Sequence, residues 1–427
     1  MTPGPPDSGP AHSDRASTPA APGPADPTST PAVPGPADPG PSPSAPGSDD
    51  EPLRVTTLEL FFDLVFAFTL TQLSALLDGA GLSATSIVQV LLVFGVLWWM
   101  YGGYAWLTNT RSPDRAPERL LLLVGMAGFL VVGLAIRNGF GNGRSAASGI
   151  FLGVGYLVVV CVHGGLYYRV NRNIVRVLPV NLVSAGLVLV AGLTSGLAAY
   201  LLWTAALAIQ VLSPLVVRVG GRFEIAPAHF AERHGALVIV ALGESVAAVG
   251  IGAAAHPLDL QIVLAAVLGL GVSAALWWVY FGGADDERAA GAMAGAPRPR
   301  RPALALSAYF YPHIPILLGV VGLAAGVKLT IGHAAQPHPA AQALAIGGGT
   351  ALFLAGHAAF RRVLHLGASW PRLVTALFAL ATAALGATVA IEAQLVVLLA
   401  GLVVMLAAEQ RRAAGASRGD QPSTGVR

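Results

Sequence analysis

Apolar runs of about twenty residues, separated by short polar breaks, fill the chain from residue 55 to 408. That is the length a helix needs to cross a ~30 Å hydrocarbon core at ~1.5 Å per residue. The pattern predicts twelve helices, at 56–78, 86–108, 118–136, 146–168, 177–195, 197–217, 235–253, 259–282, 303–328, 342–360, 372–389 and 391–409. Tight turns must join the fifth to the sixth and the eleventh to the twelfth. The fold class predicted is an all-α polytopic membrane protein of about 12 transmembrane helices. Composition agrees, with 54% hydrophobic and only 11% charged residues against roughly 25% charged in soluble domains. The single cysteine, Cys161, lies inside an apolar run and builds no disulfide framework.

The ends of the chain are another material. Residues 1–53 hold 16 of the 31 prolines and a tandem 12-mer, STPAAPGPADPT (17–28) followed by STPAVPGPADPG (29–40). Such text buries too little apolar surface to offset its chain entropy, so a disordered cytoplasmic tail is expected there. Residues 411–427 read as a second, shorter one. The first segment lacks a basic region followed by an apolar one, so it is not a signal peptide.

Charge sets the orientation. With both termini inside, the cytoplasmic loops and tails collect 22 of the 25 Lys and Arg residues, leaving Arg137, Arg144 and Lys328 outside. This is a strong positive-inside bias, and it supports an even number of spans. The pI near 9.2 therefore follows membrane topology, and no nucleic acid partner is expected.

The halves echo each other. LWWMYGGYA (97–105) closes the second span and LWWVYFGGA (276–284) the eighth, while His163 and His357 fall at matched places on the fourth and tenth. The order of matches predicts a duplicated unit, 54–218 and 219–410, arranged as two parallel six-helix repeats. The Gly-rich stretch AIGGGTALFLAG (345–356) lies within a span and reads as close helix packing.

Candidate chemistry sits on the first helix of each unit. In LELFFDLVFAFTLTQLS (58–74), Glu59 and Asp63 stand four residues apart among Leu, Phe and Val. A carboxylate at mid-span costs ~2.5–3.5 kcal/mol on insertion scales, so one is seldom placed there without a role. Aligned on the Trp-Trp pairs with a two-residue gap, Asp63 falls on Glu244 of the seventh span, HFAERHGALVIVALGESVAAVG (229–250). Arg233 projects on the same side as Glu244, three turns away by the helical period, and Ser245 adjoins. His234, Trp98 and Trp277 complete the candidate set for binding a solute or ion. No metal-ligand spacing, cofactor motif or nucleophile–base pair accompanies them, so neither a metal nor a cofactor is expected, and the chain is not read as an enzyme.

Each candidate has a structural reading beside the functional one. Glu59 is close enough to the cytoplasmic end to sit among headgroups or pair with Arg54. Asp63 and Glu244 can each be one side of a buried ion pair, and Trp98 and Trp277 can belong to an interfacial belt. His313, between Pro312 and Pro315, marks a kinked helix whose freed carbonyls either line a cavity or are met by neighbours. For the carboxylates, a polar cavity is the favoured expectation over a direct ion pair.

ELFFDLVFAFTLTQLS and HFAERHGALVIVALGESVAAVG resemble the two signature stretches of the bacterial low temperature requirement protein A family, and the similarity runs over roughly residues 54–410. The resemblance implies a multi-pass protein of the bacterial cytoplasmic (inner) membrane and carries no established activity with it. ERHGALVIVALGES is more weakly similar to the first helix of a potassium-channel family built from six-helix repeats, but lacks that family's Phe-Ser-Asp. Three functions remain open: a secondary transporter or ion-conducting protein, a non-catalytic scaffold or sensor, and a lipid-modifying enzyme. The partners expected are membrane lipid, a small solute or ion, and, as a further option, a second copy in a homodimer.

Overall fold

The structure, a computed structural model, describes residues 55–419 apart from 80–81, 112, 141–143, 171, 173 and 217–224. The expected tail 1–53 falls outside the described residues, as does 420–427, whereas 411–419, expected as the start of the second tail, continue the last helix. Among those described, twelve helices are long and apolar enough to span a membrane, and no strand occurs.

The first six are α1 (Thr57–Gly79), α2 (Ala84–Thr110), α3 (Ala116–Gly139), α4 (Ala146–Val170), α5 (Ile174–Leu193) and α6 (Gly196–Val216). Then come α7 (Pro227–Ala254), α8 (Leu260–Phe281) and a short α9 (Asp285–Gly295). The ninth span is compound, with α10 (Arg301–Leu304), a π-helical stretch (Ala305–Phe310) and α11 (Tyr311–Thr330). The last three are α12 (Ala340–Val363), α13 (Trp370–Thr388) and α14 (Ile391–Gly419).

Local chemistry explains several boundaries. Thr56 and Glu59 form a reciprocal cap at the start of α1, with the Thr56 amide and hydroxyl donating to Glu59 Oε2 at 2.9 Å and the Glu59 amide donating back to Thr56 Oγ1 at 3.3 Å. Ser83 and Asp259 cap α2 and α8 by accepting from the amides of Ser86 and Ile262. Pro117, Pro227 and Pro371 stand in the first turns of α3, α7 and α13, where no amide donor is lost to the helix.

The seventh helix differs from expectation, beginning at Pro227 rather than at residue 235. The polar text of HFAERHG hides these roughly two extra turns, at 3.6 residues per turn, from a hydropathy reading. Two further elements were expected as loop: α9, and the turn at Ala284, whose left-handed φ of 52° aims Asp285 inward.

Helix α1 packs on α2 and α3, and the chain continues α3 on α4, α4 on α5, α5 on α6, with α2 returning to α6. In the second half α7 packs on α8 and α11, followed by α11 on α12, α12 on α13, α13 on α14, and α8 on α14. The halves meet where α1 touches α7 and α11, and where α2 touches α7. Backbone-close contacts tighten the pairs. A Cβ at Gly319 of α11 would sit 2.5 Å from the Gly349 carbonyl oxygen of α12, so the Gly-rich stretch serves helix packing. Large side chains such as Leu64, Leu134, Leu197 and Val404 point outward, an apolar coat suited to acyl chains.

Candidate functional site

The α1–α7 seam holds a buried ion cluster. Glu59 and Asp63, four residues apart on α1, present their carboxylates to one side. Arg233 reaches them from α7. Its Nη1 donates to Glu59 Oε1 at 2.9 Å and to the Thr108 hydroxyl, and its Nη2 donates to Asp63 Oδ1 at 3.2 Å. The Tyr101 hydroxyl donates to the same Asp63 oxygen at 2.9 Å. The guanidinium also lies 5.5 Å from the Phe62 ring centroid and 5.8 Å from that of Tyr101, where the ring quadrupoles favour a cation. Glu59 and Asp63 are both 0% exposed.

His229 closes the cluster, and its protonation state can be worked out. Ala226 fixes the orientation of Asn109, whose Oδ1 accepts from the Ala226 amide at 3.0 Å while Nδ2 donates to the Ala226 carbonyl at 3.0 Å. Asn109 Nδ2 is therefore also the donor toward His229 Nδ1 at 3.1 Å. His229 Nδ1 must accept, so its proton resides on Nε2, which faces Glu59 at 3.2 Å. A neutral His229 leaves two carboxyl groups sharing one guanidinium. The cluster is one positive charge short, and Asp63 Oδ2 is buried with no hydrogen-bond partner among the described residues.

The other predicted residues scatter from this centre. Glu244 faces α1, as Arg233 does, but its hydrogen bond among the described residues is to a hydroxyl, accepting from Thr71 Oγ1 at 2.6 Å. It is half-buried, and its contacts do not reproduce those of Asp63. Ser245 bonds Ser273 at 2.8 Å, tying α7 to α8. His234 sits beside the cluster with Nδ1 on the Phe230 carbonyl at 2.8 Å. Trp98 is buried and donates Nε1–H to the Phe310 carbonyl at 3.1 Å, so a carbonyl of the irregular ninth span is met by a neighbour. Trp277 is 43% exposed and borders the apolar coat, away from the seam. Asp63 touches Arg233 directly, an ion pair where a polar cavity was the favoured expectation. A cavity of about 810 Å³ does open between α2 and α11–α13, but apolar side chains such as Leu91, Val321, Leu352 and Leu377 line it.

A second buried cluster escaped sequence reading. Asp285, 0% exposed at the start of α9, accepts from Arg361 of α12 at 2.5 Å and from Arg372 of α13 at 3.1 Å, and pairs with Arg288. Arg372 also holds Glu409 of α14 at 3.0 Å and donates to His357 Nδ1. These partners lie 76 and 87 residues from Asp285. His229, Thr108, Asn109 and Tyr101 were likewise missed. The one available signal was that His229 and Arg233 are spaced i, i+4. No three His, Cys, Asp or Glu side chains converge as metal ligands among the described residues.

Twelve bilayer-length helices closed over buried interhelical charge define a multi-pass helical membrane protein. Residues 54–408 match the family described as bacterial low temperature requirement A protein, and the chain belongs to that family. An uncharacterized protein of Rhizobium meliloti (strain 1021) is 28% identical over 322 residues, which is 71% of this chain and 76% of the relative.

Proposed function

We propose that this protein is a secondary transporter or ion-conducting protein of the bacterial cytoplasmic membrane, coupled to a proton or a monovalent cation. The observation that carries the reading is the charge count at the α1–α7 seam. Two buried carboxyl groups, one guanidinium and a neutral imidazole leave place for one further positive charge, with Asp63 Oδ2 open to receive it. An uncompensated charge at such depth costs several kcal/mol, so the place is strongly biased toward occupation. Loading it weakens the hold of Asp63 on Arg233, and that contact bridges the two halves. Charge binding and seam opening are thereby linked. Glu244 and Thr71 lie further along the same seam, a second polar stop toward the opposite end.

The wider architecture suits this role. We take both termini as cytoplasmic, on the distribution of Lys and Arg. The halves are read as parallel six-helix repeats because their helices follow the same order of neighbours. We assign the site binding and release of charge rather than bond chemistry, with lipid and a small solute or ion as partners.

A scaffold role is the competing reading, favoured by the near-complete bonding of the cluster. Purified protein in liposomes separates the two. Under imposed proton, Na⁺ or K⁺ gradients the wild type should move charge. Asp63→Asn, which keeps the Tyr101 and Arg233 contacts, should abolish the flux while still inserting and folding. A wild type that moves none of the three ions would defeat the transport reading.

A further inference from the structure

On the face that carries the start of α1, a narrow cleft runs from the surface to the ion cluster. We infer that this cleft, between the ends of α2 and α4 and the start of α3, is the water entrance to the cluster, and that the Arg111–Glu118 ion pair is its gate. As a route for charge, the cleft depends on the proposed role of the seam.

Leu107 and Thr108 of α2, Leu122 of α3 and Leu166 of α4 form its walls, and Arg111 and Glu118 line it as well. Exposure falls steeply within about one turn of α2. The Arg111 side chain is 43% exposed, whereas Thr108 is 3% exposed. Thr108 is the inner end of the cleft, because its hydroxyl accepts from Arg233 Nη1, the same nitrogen that donates to Glu59. From mouth to cluster, each step is a wall residue of the cleft or a direct bond from one.

Size decides what can pass. The cleft encloses about 30 Å³, room for about one water at a time, and Thr108, Arg111 and Glu118 supply the polar partners that water needs. A hydrated cation or an organic solute is too large for it. A second cleft, of about 410 Å³, is lined by Thr56, Asp114 and Arg119 and shares Pro113 with the first. The Thr56 hydroxyl donates to Glu59 Oε2 at 2.9 Å. Space on this one face therefore borders the hydroxyls of both Thr56 and Thr108, each bonded within the cluster.

The closure at the mouth is a weak one. Arg111 Nη2 stands 3.6 Å from Glu118 Oε1, longer than a hydrogen bond, and a pair with one partner in solvent contributes little to stability. Arg111 can therefore swing out at small cost. Its departure leaves the Glu118 carboxylate lining the passage, and a negative wall favours a positive charge over an anion.

The test is radiolytic footprinting of the full-length protein in liposomes, where hydroxyl radicals made from water in place oxidise the side chains that water touches. Leu107, Leu122 and Leu166 should label well above Leu97 and Leu237, which are buried too but line no part of the cleft. Glu118→Gln and, separately, Arg111→Gln each remove the pair. Either should raise that labelling about two- to fivefold, the Boltzmann factor of a partly exposed pair. Each variant removes one side of the same pair, so one that fails to fold is replaced by the other. Unlabelled cleft leucines in wild type and variants overturn the entrance, whatever the ion flux. Labelling that neither variant raises overturns the gate. Labelled leucines in a wild type that moves no charge uphold the water entrance and defeat the transport reading instead.

Discussion

Replacing Arg233 by Leu tests whether the seam is held by charge. The guanidinium makes hydrogen bonds to Glu59, Asp63 and Thr108 and lies over two aromatic rings. Removing it strands two carboxyl groups that are 0% exposed. Losing one side of a buried pair costs about 3–5 kcal/mol, because the remaining charge has no water to return to. Two stranded carboxyl groups place the loss at the upper end, about 5 kcal/mol, unless both take up protons. The triple variant Arg233→Leu, Glu59→Gln, Asp63→Asn removes the charges as well. It should recover most of that loss, since a neutral replacement for a buried ion group is often close to neutral in stability. Unfolding in mixed micelles with rising SDS, followed by tryptophan fluorescence, reads both variants against wild type. A single variant that loses under about 1 kcal/mol, well short of the range for a broken buried pair, refutes the argument. So does a triple variant no more stable than the single one.

Asp285→Asn should loosen α9 and destabilise by about 3 kcal/mol, because Arg361 and Arg372 lose a shared buried anion; faster amide exchange across residues 285–295 is the check. Glu244→Gln should change stability by less than about 1 kcal/mol, since the hydrogen bond it accepts from Thr71 survives the change. A melt shifted as far as that of the Arg233 variant would contradict this. Trp98→Phe should cost about 1–3 kcal/mol by orphaning the Phe310 carbonyl in addition to lost packing, whereas Trp277→Phe, facing outward, should stay within about 0.5 kcal/mol. Paired chemical melts compare the two, and equal losses would place Trp277 in the core instead.

The twelve spans were legible because a bilayer imposes one crude demand, about twenty apolar residues per crossing. That demand is local, so Leu260–Phe281 or Ile391 onward can be recognised without knowing any neighbour. The cost of burying a carboxylate is local too, which is why Glu59 and Asp63 stood out before any partner was known. Partnership is not local. Glu59 and Arg233 are separated by 174 residues and Asp285 and Arg372 by 87, and nothing in either stretch alone encodes the other. The Asp63–Glu244 correspondence came from aligned text, while contacts across the seam joined Asp63 to Arg233 and Glu244 to Thr71 instead. Trp98 and Trp277 share one motif, yet one is buried and the other 43% exposed. Their fates depend on which helix packs against each face. The sequence by itself determined that helices cross a membrane and that charge is buried among them. Only the tertiary structure decided which charges meet, because ion pairing is settled at about 3 Å, by the rotation and depth of helices far apart along the chain.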